Sequence, residues 1–270
     1  MDTLSYEIHS KPEHKQWIVF IHGAGGSSKT FGRQVAAFRK HFNLLLPDLQ
    51  DHGNSKEFVS PEDEKISFTQ VAKNVVNLLD ELKISEAHFL GVSMGSLIIR
   101  EIEQMRPELV LSIVTGGGIM NLNRQTHLLF KTGVFLSRFI PYHKLYQLVA
   151  WILMPYENHK VARRLFVREA RTIKTEAFKV WLGLLAELKY KLDLYFNIPL
   201  RKPTLMIMGD QDFAFLEHSK IYSEKFPFIN LEILPKCGHV CNIEQAEEFN
   251  VRCLNFLLEL SEKAQKKLSL

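Results

Sequence analysis

The sequence predicts an α/β fold in which a mostly parallel sheet is flanked by helices. Short runs of β-branched and apolar residues alternate with segments of helical period, the pattern of successive strand and helix units. These runs are nearly continuously hydrophobic, as expected for strands that are buried on both faces. A chain of 270 residues with 46% hydrophobic and 24% charged residues is long enough to bury the core that such a fold requires.

Six strands and two sheet-packing helices follow from this pattern. The strands are predicted at 17–22, 42–49, 87–93, 109–116, 204–210 and 230–235. One helix is predicted to begin after Ser67, which has capping-box spacing to Gln70. A second is predicted from Ala246 towards the C-terminus. Both carry apolar residues at helical spacing, namely Val71, Val75, Leu78, Leu79 and Leu82 in the first and Phe249, Cys253, Phe256, Leu257 and Leu260 in the second.

The stretch 119–197 has no strand pattern and is predicted to be a helical insertion into a core formed by 1–118 and 198–270. Pro141 and Pro155 interrupt its helical spacing. The insertion has 13 Lys and Arg against 5 Asp and Glu, a balance of +8 in a chain whose total is +4, so the remainder carries −4. Such charge is typical of solvated helix faces, and the alternative is attraction of an anionic substrate or lipid surface.

Composition excludes several classes of function. The polar N-terminal sequence lacks the pattern of a signal peptide, so a cytoplasmic location is expected. Cys237, Cys241 and Cys253 lack zinc-site spacing and are expected to be reduced thiols, with no metal bound. The longest apolar stretch, 145–156, is shorter than the roughly 20 residues of a membrane-spanning helix and predicts a buried or interfacial helix. No nucleic-acid-binding pattern is present, so nucleic acid is not expected as a partner.

Ser93 is the candidate nucleophile. Residues 91–95 read G-V-S-M-G after a predicted strand and before a helical pattern. Small residues are needed on both sides of such a serine because the chain turns sharply, which lifts the hydroxyl out of the sheet and points a helix N-terminus at it.

A serine hydroxyl needs a base to take its proton and an acid to orient that base. His218 and His239 both follow the later acidic strand end, in the order Ser, Asp, His. His218 lies in a helical pattern, whereas His239 lies in a loop after a strand, so His239 is the predicted base. Asp212 is favoured over Asp210 as the acid because it stands two residues further along and can reach over the sheet edge.

Two backbone N–H groups are expected to bind the oxyanion of a tetrahedral intermediate. Met94 follows the nucleophile and offers one of them. The glycine-rich loop 22–28, H-G-A-G-G-S-S, follows an early strand and is predicted to supply the other. This loop lacks the G-x-x-x-x-G-K-[ST] pattern of a phosphate-binding loop.

These motifs resemble those of the α/β-hydrolase fold family. The matching segments stand in family order and are HGAGG at 22–26, DLQDHGNS at 48–55, GVSMG at 91–95, GDQD at 209–212 and CGHVCNIEQAEEFN at 237–250. The resemblance implies an α/β-hydrolase fold without a cofactor and a helical cap over the active site at 119–197. It implies these roles: nucleophile Ser93, general base His239, orienting acid Asp212, and oxyanion hole at the N–H groups of Ala24 and Met94.

Two positions depart from the family pattern. Asp51 stands where a glycine is usual and is expected to affect a loop beside the sheet more than the triad. Ser96 replaces a frequent second glycine and is expected to make the helix packing looser or more polar. Serine rather than aspartate at position 93 argues against a resemblance to epoxide hydrolases and haloalkane dehalogenases, and no arginine follows it as in the menaquinone-pathway synthases.

The sequence therefore predicts a serine hydrolase that cleaves a carboxylic ester, thioester or lactone with an apolar acyl part. Most apolar residues of the insertion are expected to pack between helices and the rest to line an acyl pocket; they are Leu128, Leu129, Phe130, Phe135, Phe139, Leu148, Trp151, Ile152 and Met154.

Two alternatives stay open: a carbon–carbon bond hydrolase, haloperoxidase or acyltransferase with the same triad, or a small-molecule receptor that retains it. The expected partner is a small-molecule acyl substrate. If the charge of the insertion does more than solvate helix faces, an anionic acyl carrier or a lipid surface is the further partner that it indicates.

Overall fold

A seven-stranded sheet forms the centre of the computed structural model, which describes residues 3–58 and 66–268, with the side chains of 185–187 and 264–268 left out. The order across the sheet is β1-β3-β2-β4-β5-β6-β7. All neighbours pair in parallel except β1, which is antiparallel to β3. The strands are β1 (Tyr6–His9), β2 (Trp17–Ile21), β3 (Asn43–Pro47), β4 (Ala87–Val92), β5 (Val110–Gly116), β6 (Thr204–Gly209) and β7 (Asn230–Leu234).

The six predicted strands are confirmed, with ends that agree within two residues, whereas β1 was missed. This strand has four residues and lies at the edge of the sheet, and three of its side chains are exposed. Tyr6 and Ile8 therefore bury no apolar face that a sequence pattern could reveal. Only the pairing with β3, more than 30 positions away along the chain, makes this segment a strand.

The helices of the described chain cover both faces of the sheet and extend beyond its carboxyl edge. They are α1 (Gly32–Phe38), α2 (Phe68–Glu81), α3 (Gly95–Met105), α4 (Arg124–Leu136), α5 (Tyr142–Leu153), α6 (Lys160–Ala170), α7 (Thr175–Tyr195), α8 (Leu216–Lys225), α9 (Cys241–Glu244) and α10 (Ala246–Leu268). Within 3–58 and 66–268, no helix is both long and apolar enough to cross a membrane.

Alternate residues of the inner strands enter two separate cores because successive side chains point to opposite faces. Val19 and Ile21 of β2 pack with α2, α3 and α8, whereas Ile18 and Phe20 pack with α1 and α10. The predicted cap of α2 is present, since the Ser67 hydroxyl accepts a hydrogen bond from the Gln70 N–H at 3.0 Å. The predicted fold class, a mostly parallel sheet with helices on both faces, is confirmed.

Four helices, α4 to α7, lie between β5 and β6 and fall inside the predicted insertion 119–197. The assignment of this segment as a separate cap unit stays a prediction. Its end is anchored on α3, the helix that begins just after Ser93. Buried Arg100 donates hydrogen bonds to the carbonyls of Tyr195, at 2.7 Å, and Ile198. This contact ties the return of the insertion to the helix that follows the candidate nucleophile.

Gly95 at the start of α3 allows the closest backbone approach in this region. A Cβ at Gly95 would lie 2.1 Å from the carbonyl oxygen of Ile21. We expect Gly95→Ala to lower the free energy of unfolding by about 3 kcal/mol, because backbone atoms of β2 must move. Urea unfolding measures this loss. The control is Gly183→Ala in α7, where no atom lies within 4 Å of an added Cβ. It should raise stability by up to about 1 kcal/mol, and equal stability of both variants would contradict the prediction.

Candidate active site

Ser93 lies in a sharp turn between β4 and α3. Its φ of +53° is in the left-handed region, which non-glycine residues rarely adopt. Close packing on both sides holds the turn, since a Cβ at Gly91 would lie 2.5 Å from Ile99 Cδ1. The Ser93 N–H also donates to the Gly116 carbonyl of β5 at 3.0 Å. The hydroxyl is therefore presented at the carboxyl edge of the sheet by a rigid, strained backbone.

Three predicted residues form one hydrogen-bonded chain. His239 Nε2 lies 2.8 Å from Ser93 Oγ, and His239 Nδ1 lies 2.8 Å from Asp212 Oδ2. Because the buried Asp212 carboxylate accepts, the ring proton belongs on Nδ1, which leaves Nε2 free to accept from the serine. Asp212 also accepts from the Phe215 N–H at 3.3 Å, and the Phe215 ring lies 4.9 Å from the His239 ring. The arrangement can move a proton from serine to histidine.

The two alternative residues lie outside this chain. Asp210 Oδ1 accepts from the Cys237 N–H at 3.1 Å and so holds the loop that leads to His239. His218 lies on α8, with its ring 5.7 Å from that of Phe196.

The contact of Gly117 with the backbone of His239 was not predicted. Gly117 has a φ of +55° and comes so close that a Cβ there would lie 2.1 Å from the His239 carbonyl oxygen.

The N–H groups of Ala24 and Met94 border the same site. A Cβ on Gly23 would lie 3.1 Å from Ser93 Cβ, so the glycine-rich loop rests against the candidate nucleophile. Ala24, Met94 and Ser93 line one cavity. Within the described part of the chain, neither the Ala24 nor the Met94 N–H has a hydrogen-bond partner. Both donors are therefore available to a substrate oxygen.

Two buried neutral histidines support the glycine-rich loop. His52 Nε2 accepts from the Gly25 N–H at 3.1 Å, and His22 Nε2 accepts from the Leu49 N–H at 3.0 Å. An accepting ring nitrogen carries no proton, so these contacts require uncharged rings. Burial lowers the pKa of His22, and burial together with the neighbouring His22 lowers the pKa of His52 to about 3. These two supports of the loop therefore carry no charge of their own.

Asp51 does more than shape a loop. Its φ of +66° explains why glycine is usual at this position. Its carboxylate accepts a hydrogen bond from the indole N–H of Trp181 on α7 at 3.1 Å. Burial raises the pKa of this carboxyl group. Trp181 also packs edge-on against His52, with ring centres 4.8 Å apart, so Asp51 links the support of the glycine-rich loop to α7.

Ser96 makes the packing polar rather than loose. Its buried hydroxyl donates to the Ser93 carbonyl at 2.7 Å and accepts from the Ile119 N–H at 3.0 Å. The side chain therefore joins the turn at Ser93 to the segment that enters α4. The sequence predicted looser or more polar packing at this position, and the packing is polar. The hydrogen-bonded link between Ser93 and Ile119 was not predicted.

An apolar cavity of about 120 Å³ opens from Ser93 and His239 towards α4 to α7. The helices contribute mostly apolar side chains, including Leu129, Phe130, Leu145, Val149, Phe178 and Leu182. Tyr146 adds a hydroxyl next to the glycine-rich loop, since a Cβ at Gly25 would lie 2.8 Å from its Oη. Most of nine apolar residues of the insertion were expected to pack between helices and the rest to line a pocket. Five of the nine are instead 45 to 72% exposed, namely Leu128, Phe135, Phe139, Leu148 and Trp151.

A second, smaller cavity of about 40 Å³ lies on another side of Ser93 and His239, beside the glycine-rich loop. Glu169 of α6 lines it and accepts a hydrogen bond from the Ser27 hydroxyl at 2.9 Å. Its other oxygen pairs with Arg168 at 3.0 Å. Sequence reasoning missed Glu169 because nothing near it along the chain marks a contact with residue 27.

Comparison with known proteins places this arrangement in a family. A family model described as the alpha/beta hydrolase fold matches residues 16–246. The chain belongs to the α/β-hydrolase fold family. This membership supports hydrolase activity as the general class of reaction.

Three similar proteins illustrate the family. A protein of Haemophilus influenzae, provisionally named an esterase/lipase, is 31% identical over 113 residues, which is 41% of this chain and 38% of that protein's length. A protein of Acinetobacter baylyi, provisionally named the carbamate hydrolase RutD, is 24% identical and the match covers 94% of this chain and 98% of the other. The enol-lactonase structure from Burkholderia xenovorans superposes with a TM-score of 0.80 at 21% identity, covering 94% of this chain and 96% of the lactonase.

Acid should destabilise this α/β hydrolase through His52. The folded pKa of about 3 lies below the ordinary value of 6.5, so the unfolded chain binds more protons between those pH values. The free energy of unfolding therefore falls as pH drops through this window, and His52 alone accounts for about 2 kcal/mol at pH 5 relative to neutral pH. Urea unfolding at both pH values measures the loss.

The variant His52→Asn should show a smaller loss on acidification than the wild type. The control His143→Asn replaces a ring that is exposed on α5 and should keep the wild-type loss. An undiminished loss in His52→Asn would show that other groups cause the acid sensitivity.

Proposed function

We propose that this α/β hydrolase is a serine hydrolase that cleaves a carboxylic ester, thioester or lactone with an apolar acyl part. The observation that carries the proposal is the chain of hydrogen bonds from Asp212 through His239 to Ser93, which ends at the mouth of an apolar cavity. A nucleophile with its base, next to a water-poor apolar pocket, suits attack on an acyl carbonyl carbon.

In the proposed acylation step, Ser93 Oγ attacks the carbonyl carbon while His239 Nε2 takes its proton. Asp212 stabilises the resulting imidazolium through Nδ1. The N–H groups of Ala24 and Met94 donate to the carbonyl oxygen as it gains negative charge. The intermediate then collapses, the bond to the leaving oxygen or sulfur breaks, and His239 returns the proton to the leaving group.

In the proposed deacylation step, His239 takes a proton from water while the water oxygen attacks the acyl carbonyl carbon. Collapse of the second intermediate releases the carboxylic acid, and His239 returns the proton to Ser93 Oγ. The small cavity beside the glycine-rich loop offers room near Ser93 for a leaving group or water.

The cytoplasmic location that the sequence predicts stays a prediction.

The acyl part is proposed to occupy the larger cavity. Each buried CH₂ group contributes about 0.8 kcal/mol, which corresponds to about fourfold in affinity. Longer acyl chains should therefore be preferred until the cavity is filled. The Tyr146 hydroxyl lies beside the glycine-rich loop, and most of the other side chains that line the cavity are apolar.

Ser93→Ala should lower kcat/KM for p-nitrophenyl acyl esters at least about a thousandfold, because the attacking oxygen is removed. It should also abolish labelling by a fluorophosphonate, which loses fluoride as it bonds to an activated serine oxygen. Ser223→Ala on α8 is the matched control and should keep wild-type labelling. Circular dichroism checks that both variants fold. Hydrolysis by Ser93→Ala at the wild-type rate would overturn the proposed nucleophile.

Acyl-chain preference should respond to filling the cavity from α4. Gly133 lines the cavity, and no atom lies within 4 Å of a Cβ added there. Gly133→Phe should lower kcat/KM for a decanoyl ester by about tenfold or more and leave an acetyl ester within about twofold, because the ring competes with the distal CH₂ groups.

The matched control is Gly183→Phe on α7, an exposed glycine whose added Cβ also meets no atom within 4 Å. It should keep the wild-type chain preference. An unchanged preference in Gly133→Phe would contradict acyl binding between α4 and α7, whereas loss of the acetyl activity as well would indicate a damaged fold.

A further inference from the structure

The first half of the insertion, residues 119–156, contains no Asp or Glu. Its charged residues are Arg124, Lys131, Arg138 and Lys144. Their combined charge of +4 equals the net charge of the whole chain. Within the described residues none of these four side chains forms an ion pair. This part of the molecule therefore presents positive charge that the described part of the chain does not neutralise.

Large apolar side chains are exposed on or next to α4 and α5, the two helices of this segment. Phe139 lies three residues after the end of α4 and is 72% exposed, and Phe135 in the last turn of α4 is 57% exposed. Their rings contact each other, with centres 5.5 Å apart. On α5, Leu148 and Trp151 are 45% and 55% exposed. An exposed phenylalanine pair is unusual on a surface that faces only water.

The charged and apolar side chains share helix faces. Arg124, Leu128, Lys131 and Phe135 follow one another on α4 at spacings of three or four residues, which places them in one stripe. Exposed residues of α5 repeat this pattern at 144, 148 and 151. Cationic and apolar residues that alternate on an exposed helix face, with no acid among them, are typical of helices that lie in a membrane interface.

The opposite faces of these helices line the acyl cavity. Leu129, Phe130 and Gly133 of α4 and Leu145 and Val149 of α5 border it. The two helices therefore separate the candidate active site from the exposed basic and apolar surface. The cavity behind these helices is an apolar space of the kind that an acyl chain drawn from a lipid layer would occupy.

We propose that α4, α5 and their connecting segment 137–141 dock on a membrane surface that contains anionic lipids. The four cations attract the headgroups, and the exposed phenylalanines insert at the boundary between headgroups and acyl chains. The substrate of the proposed hydrolase is then an acyl lipid or a lipophilic ester drawn from that membrane. This last step rests on the proposed function, whereas the docking itself does not.

Two other occupants fit the surface less well. A second copy of the chain in a twofold interface would place the same cations against each other, and 119–156 has no carboxylate to pair with them. An acidic carrier protein would satisfy the charge. It would not account for Phe135 and Phe139, which sit next to unpaired cations and are the residues a lipid interface prefers to bury.

The test is sedimentation of the full chain with vesicles of phosphatidylcholine alone or with about one third phosphatidylglycerol. We expect the wild type to bind the anionic vesicles at least about tenfold more tightly, and about 0.5 M salt to weaken that binding by screening. The double variants Phe135→Ser with Phe139→Ser and Lys131→Glu with Arg138→Glu should each lose about tenfold in binding.

Matched controls are Phe228→Ser, which removes a 59% exposed ring outside the insertion, and Lys220→Glu on α8. Both should bind like the wild type. All variants should hydrolyse a dissolved short-chain ester at the wild-type rate, which shows that they fold. If the wild type lacks this activity but binds vesicles as expected, the proposed function fails and the docking surface stands.

Three results would overturn the docking proposal. One is equal binding to both vesicle types, or binding to neither. Another is a dimer in light scattering that Phe135→Ser with Phe139→Ser converts to a monomer, which would assign the surface to a second copy. The third is binding to an acyl carrier protein that Lys131→Glu with Arg138→Glu abolishes, without vesicle binding.

Discussion

The hydrogen bond between Ser93 Oγ and His239 Nε2 joins two residues 146 positions apart, and the candidate site depends on it. It forms because β4, β6 and β7 run in parallel, so the loops after all three strands meet at one edge of the sheet. The left-handed turn at Ser93 and the close approach of Gly117 to His239 set its geometry. The strain at Ser93 persists because packing at Gly91 and Gly95 holds both ends of the turn.

Neutral histidines and apolar side chains make up much of the surroundings of this hydrogen bond. The histidines that support the glycine-rich loop are neutral, and the larger cavity is almost entirely apolar. In such a medium of low dielectric constant, the Asp212 carboxylate and the two free N–H groups act more strongly than they would in water. Asp51 links these histidines to α7. Its carboxylate accepts a hydrogen bond from Trp181, which lines the cavity and packs against His52.

Helices α4 and α5 each carry apolar residues on two faces. The inner face lines the cavity, and the outer face carries exposed aromatic residues among cations. A helix that is apolar on one face alone would need only the protein core to bury it. With apolar residues on both faces, the two helices border the cavity above Ser93 on one side and the exposed surface on the other.

The sequence by itself determined the six strands β2 to β7, the Ser, Asp and His motifs and the basic segment 119–197. Continuous apolar runs and glycine-bounded turns are local signals that need no partner to be read. Only the tertiary structure decided the edge strand β1, the bridges made by Asp51 and Ser96, and which apolar residues of α4 and α5 face the cavity. Helical spacing groups residues into faces, but when two faces are apolar, it is packing against the rest of the chain that selects the buried one.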